Sequence, residues 1–469
     1  MRKLSLAIII LAAACGGRKD PNLVHAEAVL AQTPVFDGHN DLPWRIREDK
    51  VAKMDVEKYD LATKAPGMTD IPRIKAGHLG AQFWSVYTPG ESASYGYAKL
   101  QAEQIRIAKA FVAKYPQTFT WALTASAVRQ AEKDGKVASL MGLEGGHGIE
   151  NNLDSLRSYY AQGVRYMTLT HNVTLAWADA ALDSAKHGGL TRFGEDVVRE
   201  MNRLGMLVDL SHVSPGTMSD ALNVTEAPVI FSHSSARGLT DHPRNVPDSI
   251  LQRLPKNGGV VMVSFVPSFT TQKYADYSNQ QAAAFKDVAA RADVDSAAKA
   301  KADSDWVKAH PAPHVTIGDV ADNIEYIRRM AGVDHVGIGS DFDGITETVD
   351  GLDDVSKFPL LFAELVRRGW TDEDLKKLAG ENVLRVLDQA VIVAHRLQQT
   401  RKPSHATLDR LDNHARPAAK ASPKPGAKSS VKAPPKKAPV KRKSATRRSV
   451  HTPRHTTHTP KAKAKHVAR

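Results

Sequence analysis

The chain has 469 residues, 42% of them hydrophobic and 25% charged, the composition of an ordinary globular protein. Its net charge of +13 is lopsided: residues 401–469 hold 20 Lys and Arg against 2 Asp and Glu, which leaves the first 400 residues at −5. The basic balance thus describes the tail and says nothing about the body, and the single cysteine, Cys15, excludes an intrachain disulfide and a thiolate zinc site.

The N-terminus reads as an export signal over residues 1–17. Arg2 and Lys3 precede the apolar run LSLAIIILAAA, which is too short for a stable membrane anchor. LAAAC resembles a bacterial lipoprotein signal, in which Cys15 becomes the lipidated first residue. That predicts an exported protein of the cell envelope, held to the membrane through its N-terminal lipid. Residues 18–33 read as a tether.

Eight apolar runs follow, at residues 35–42, 81–88, 138–146, 164–171, 204–212, 227–234, 258–265 and 335–342. They are near-continuous in apolar residues, as strands buried on both faces of a parallel sheet are. Helical patterns lie between them, for example at 97–115, 191–204 and 317–332. Eight strand–helix alternations predict an α/β fold, a closed (β/α)8 TIM barrel, over residues 34–399. No GxGxxG turn follows the first strand, which disfavours an open doubly wound sheet. Residues 268–313 form an Ala-, Asp- and Lys-rich helical insertion before the eighth strand, on the face where a barrel carries its active site. Residues 371–399 read as closing helices, with Thr371 and Asp374 marking a helix start. From residue 400 to 469 the composition shifts to Lys, Ala and Pro, which cannot bury enough apolar surface to offset ordering entropy, so a disordered tail is expected.

A barrel carries its chemistry at the C-terminal ends of its strands. His39 and Asp41 end the first run two residues apart, where strand alternation would point both the same way. Glu144, His171, His212, His233 and Asp341 end later runs. The five nitrogen and oxygen donors of His39, Asp41, Glu144, His212 and His233 exceed the needs of one zinc and suit two ions sharing a carboxylate. Glu144 is the expected bridge, with His39 and Asp41 on one ion and His212 and His233 on the other. A water between the ions, acidified to a bridging hydroxide, is the expected nucleophile. Mn, Co or Fe would suit the same donors.

The segments FDGHNDLPW, GLEGGH, TLTHN, DLSHVS, FSHSSAR, HPRNVPD and GSDFDG, in this order across residues 33–390, resemble the motifs of the membrane (renal-type) dipeptidases, peptidase family M19 of the amidohydrolase superfamily. The resemblance implies a barrel hydrolase with two zinc ions that cleaves dipeptides and tolerates a D-residue on the C-terminal side. It implies zinc ligation by His39, Asp41, Glu144, His212 and His233. His171 would polarise the scissile carbonyl or stabilise the oxyanion, Arg244 would bind the substrate carboxylate, and Asp341, rather than Asp343, would carry the proton. Family members also resemble homodimers. The Lys-rich tail departs from the family pattern; it is a solvated extension or an electrostatic tether to anionic envelope polymer, with nucleic acid a poor fit for an exported protein. The competing functions are a related amidohydrolase acting on N-acyl amino acids, lactones or phosphoesters, and a barrel that binds without turnover.

Overall fold

The structure, a computed structural model, describes residues 20–290 and 296–413. The expected signal, Cys15 and the tail beyond residue 413 lie outside the described residues. Among the described residues, nine strands run in parallel: β1 (Val35–Asn40), β2 (Leu79–Ser85), β3 (Phe119–Trp121), β4 (Val137–Glu144), β5 (Val164–Thr168), β6 (Leu207–Asp209), β7 (Ile230–Phe231), β8 (Val260–Val263) and β9 (Val336–Ile338). Pairing of β2 with β4 closes the sheet into an eight-stranded ring in the order β1, β2, β4, β5, β6, β7, β8, β9. The short β3 is supernumerary and pairs only with the start of β4, from Phe119 opposite Val137 to Trp121 opposite Ser139. With helices between the strands, this is the expected (β/α)8 TIM barrel.

Alternate strand residues fill the lumen, as a pleated sheet requires. Phe36, Phe83, Leu140, Tyr166, Leu207, Ile230 and Met262 form one buried cluster, which the closing helix plugs from below with Val383, Leu384 and Leu387. Phe36 stacks on Phe83 with centroids 5.3 Å apart, and Phe83 meets the Tyr166 ring at 4.9 Å. Each such ring, fully withdrawn from water, stabilises the fold by about 1.5–3 kcal/mol. Gly142 on β4 makes room for Tyr166, since a Cβ there would lie 1.9 Å from the ring. Outside the ring, apolar faces of Tyr97–Lys114, Arg192–Leu204 and Ile317–Ala331 pack onto the strands. The closing region starts at Thr371, whose side chain accepts from the Asp374 amide, and ends with the helix Asn382–Thr400.

Three features differ from expectation. The segment read as a tether contains a helix, Pro21–Gln32, capped by Asp20 and burying Ala26, Val29 and Leu30. Its apolar positions recur at the three- to four-residue spacing that makes one helix face. The start of the expected tail is also ordered: Ser404 donates to Asp196, and Asp412 accepts from the Thr191 hydroxyl. Leu408 and Leu411 supply its apolar anchor. Finally, β5, β6 and β9 stop three residues short of His171, His212 and Asp341. His212 (φ 66°) and Asp341 (φ 68°) adopt left-handed backbone, which cannot continue a strand.

Candidate metal centre

The barrel rim gathers the polar residues that the sequence placed there. Glu144, the last residue of β4, is at the middle. Its Oε2 lies 3.3 Å from His39 Nε2, and its Oε1 lies 3.0 Å from His212 Nε2, 3.6 Å from His233 Nε2 and 3.9 Å from His171 Nε2. His39 Nε2 is also 3.1 Å from Asp41 Oδ2 and 3.9 Å from Asp341 Oδ1. His39 and Asp41 converge, though not by strand alternation alone: Asp41 has left the strand (φ −93°, ψ 26°) to begin the helix Leu42–Glu48. Gly344 lies so close that a Cβ there would sit 2.3 Å from Asp41 Oδ2 and 2.8 Å from Asp341 Oδ1.

Hydrogen bonds around the rim assign the imidazole protons. Asn172 Oδ1, an acceptor, lies 3.0 Å from His212 Nδ1, so that nitrogen carries the proton. Ser232 Oγ gives its own proton to Asp209 and therefore accepts from His233 Nδ1 at 2.9 Å. Both Nε2 atoms then present lone pairs. Burial, reinforced by the nearby Arg244 cation, holds both histidines well below the ordinary imidazole range, so they are neutral. The two Nε2 atoms stand only 2.9 Å apart. Two lone pairs facing each other and a carboxylate repel unless a cation lies among them. His39 Nε2 and Asp41 Oδ1 are buried without a hydrogen-bond partner, the same signature. The donor atoms form three overlapping groups, His39–Glu144–His233, Glu144–His171–His212 and His39–Asp41–Asp341, which share Glu144 and His39. Nitrogen and carboxylate oxygen in this combination fit zinc or a neighbouring divalent metal.

Several positioning residues were not singled out in the sequence. Tyr166 OH is 2.7 Å from His39 Nδ1 and fixes that ring, although 127 residues separate the pair. Ser85 donates to Glu144 Oε2. Asp37 is buried beneath the rim and accepts from both the amide and the hydroxyl of Ser340 at 2.7 Å, which holds the turn leading to Asp341. The only sequence signal for Ser85 and Tyr166 is their inward strand register, and Asp37, next to the inward Phe36, carries none. Asp209 orients His233 through Ser232. Asp179 instead accepts amides of Lys186, His187 and Gly189 and ties down a loop.

Over the rim opens a cavity of about 380 Å3, lined by Trp44, Tyr87, His171, Leu182, Arg244, Phe269 and Ile345 together with Asp41, Glu144, His212, His233 and Asp341. His171 packs against Tyr87 at 4.8 Å, and burial depresses its pKa. Arg244 is almost fully buried, lies over the Phe269 ring at 5.2 Å, and leaves Nη1 without a partner. Burial lowers its guanidinium to about 10, still cationic at neutral pH. Burial also pushes Asp341 up to about 8, with Asp41 and Glu144 adding repulsion that His39 opposes. Asp343 points elsewhere: its Oδ1 accepts the Met68 amide at 2.7 Å.

Residues 23–401 match the sequence model of the membrane dipeptidases, peptidase family M19. The chain belongs to this family. It is a metal-dependent dipeptidase, a hydrolase. Among solved structures, it resembles the probable dipeptidase PvdM of Pseudomonas aeruginosa, at 23% identity and a TM-score of 0.69 over 80% of this chain and 99% of that one. A metallopeptidase of Rhodobacter sphaeroides, solved with a phosphinate mimic of the dipeptide L-Ala-D-Ala, is 25% identical with a TM-score of 0.62, covering 76% of this chain and 99% of that one.

Proposed function

We propose that this dipeptidase uses two zinc ions bridged by Glu144 and accepts a D-residue on the C-terminal side of the scissile amide. The carrying observation is the division of the Glu144 carboxylate: Oε2 faces His39, and Oε1 faces His212 and His233. His39 and Asp41 would complete one ion's ligands, and His212 and His233 the other's. When bound, such a pair supplies Lewis acidity that polarises the amide carbonyl and makes water nucleophilic near neutral pH.

The chain's own groups then have distinct tasks. Arg244 offers its unpartnered Nη1 to the substrate carboxylate, and Phe269 keeps the guanidinium in place. Anchoring a carboxylate there selects a free C-terminus one residue beyond the cleaved bond. His171 stands across the cavity to hydrogen-bond the carbonyl oxygen as negative charge develops on it. Asp341 Oδ1 takes the proton of the attacking water and delivers it to the departing amine, so that the C–N bond breaks as a carboxylate and a free amino group form. Tolerance of a D-residue is supported by the L-Ala-D-Ala mimic in the Rhodobacter sphaeroides relative.

The test combines metal analysis with hydrolysis of Ala-Ala, Ala-D-Ala, Gly-D-Ala and N-acetyl-alanine before and after chelation. Two zinc equivalents, chelator-sensitive turnover and cleavage of Ala-D-Ala are expected. Retention of fewer than two equivalents in excess zinc, or N-acetyl-alanine as the better substrate, would overturn the reading. For location, we propose an exported lipoprotein anchored through Cys15; fatty-acid labelling that survives Cys15→Ala would refute it.

A further inference from the structure

A second cavity of about 330 Å3 adjoins the first and shares Val266, Gly344 and Ile345 with it. Its remaining walls include Tyr274, Tyr277 and Gln281 from the helix Gln272–Ala290 of the insertion, and Glu347 from the loop after β9. Tyr274 and Tyr277 meet edge-on at 5.5 Å, and Trp306 from the insertion's other helix backs Tyr277 at 5.3 Å, so the aromatic wall is braced. Tyr274 is raised to about 12, by burial and then by the charge of Glu347, which places that carboxylate within electrostatic reach of the aromatic wall. The hydroxyl of Thr346 donates to Glu347 Oε2 at 2.8 Å. Aromatic faces with a carboxylate between polar neighbours make a receptor for a cation on an aliphatic stem.

We propose that this chamber is the subsite for the side chain of the dipeptide's C-terminal residue, and that it favours long cationic side chains of the lysine and arginine type. The inference rests on Arg244 as the carboxylate anchor. The loop after β7 carries Arg244, and the chamber's walls follow β8 and β9, the next strands around the ring. A C-terminal residue bears its carboxylate and its side chain on the same carbon, so the side chain leaves from the Arg244 side of the rim. Asp41, Trp44 and Tyr87 stand after β1 and β2, beyond β9 in ring order, where the amino-terminal residue is left to lie. The cation's charge would be met by Glu347 and its stem by Tyr274 and Tyr277.

The experiment measures kcat/KM for Ala-Lys, Ala-norleucine, Ala-Glu and Ala-Ala, with Lys-Ala as the reversed control, on native enzyme and on Glu347→Gln and Glu347→Lys. Native enzyme should prefer Ala-Lys to Ala-norleucine by about tenfold, the scale of one cation recognised by a carboxylate and aromatic faces. Glu347→Gln should erase that preference, and Glu347→Lys should turn it toward Ala-Glu. An unchanged Ala-Lys to Ala-norleucine ratio in both variants, or a response confined to Lys-Ala, would overturn the assignment. Failure of the anchor itself is read separately, as an unaltered KM for Ala-Ala in Arg244→Ala.

Discussion

The two ends of the barrel are built on opposite principles. At the floor, His335 Nδ1 meets the Gly259 carbonyl at 2.7 Å, and Asn382 donates to the carbonyls of Val333 and Val336. Apolar side chains from strands and closing helix fill what remains. At the rim, four imidazoles and three carboxylates crowd together, His39 Nε2 and Asp41 Oδ1 lack hydrogen bonds, and His212, Asp341 and Asp343 take left-handed backbone. Each such conformation costs about 1–3 kcal/mol. The floor supplies the stability that lets the rim hold an arrangement unfavourable without cations.

The largest effect should come from the centre of the rim. Glu144→Gln removes a charge shared by both ligand groups and should lower kcat at least a thousandfold, the scale of losing an essential electrostatic group. Metal content should fall below two equivalents. A variant at full speed with full metal would break the contrast, because the rim would then not depend on its central carboxylate. Arg244→Ala comes next, with KM for Ala-Ala rising about a hundredfold and kcat changing less, as expected when a charged pair to substrate is lost. An unchanged KM would remove the basis for dipeptide length selection.

A paired substitution one layer apart sharpens the comparison further. Tyr166→Phe should weaken metal affinity by about tenfold or more through the freed His39 ring. Phe36→Leu, in the layer below, should cost about 1–2 kcal/mol of stability with little change in metal affinity. Denaturant melts and zinc titrations on both proteins separate the effects; metal loss in Phe36→Leu matching that in Tyr166→Phe would merge the two regions. The smallest effect concerns pH at the floor. Glu132 lies on the helix Ala125–Lys133, and burial, with repulsion from Glu381, raises it from 4.5 to about 7. The folded protein therefore keeps a proton that the unfolded chain releases between those values, and stability falls as pH rises through that window. Glu132→Gln should recover about 1 kcal/mol at pH 8, after allowance for solvent screening, and nothing at pH 4. Equal gain at both pH values would assign the effect to packing.

Much of this molecule was legible along the chain because its causes are local. Buried runs such as GGVVMVSF announce parallel strands, helical periodicity fills the gaps, and Thr371 marks a helix start. His39, Glu144, His212 and His233 could be placed on the rim because each lies at or just beyond a strand end. The insertion could be read as helical from composition, but not as the wall of a second chamber. The helix Pro21–Gln32 and the ordered turn at Asp409–Asn413 were misjudged because their short apolar sets gain value only against distant surfaces.

By itself the sequence determined the barrel and the kinds of donor atom its rim presents, since hydrophobic period and residue type act over a few neighbours. Ring closure decided the rest. It brought Tyr166 under His39, set Ser232 between His233 and Asp209, and aligned Asp37 with Ser340, 303 residues away. Those contacts choose the tautomers, the unpartnered atoms and the pKa shifts, because each depends on the distance and burial of groups whose separation along the chain carries no record of their meeting.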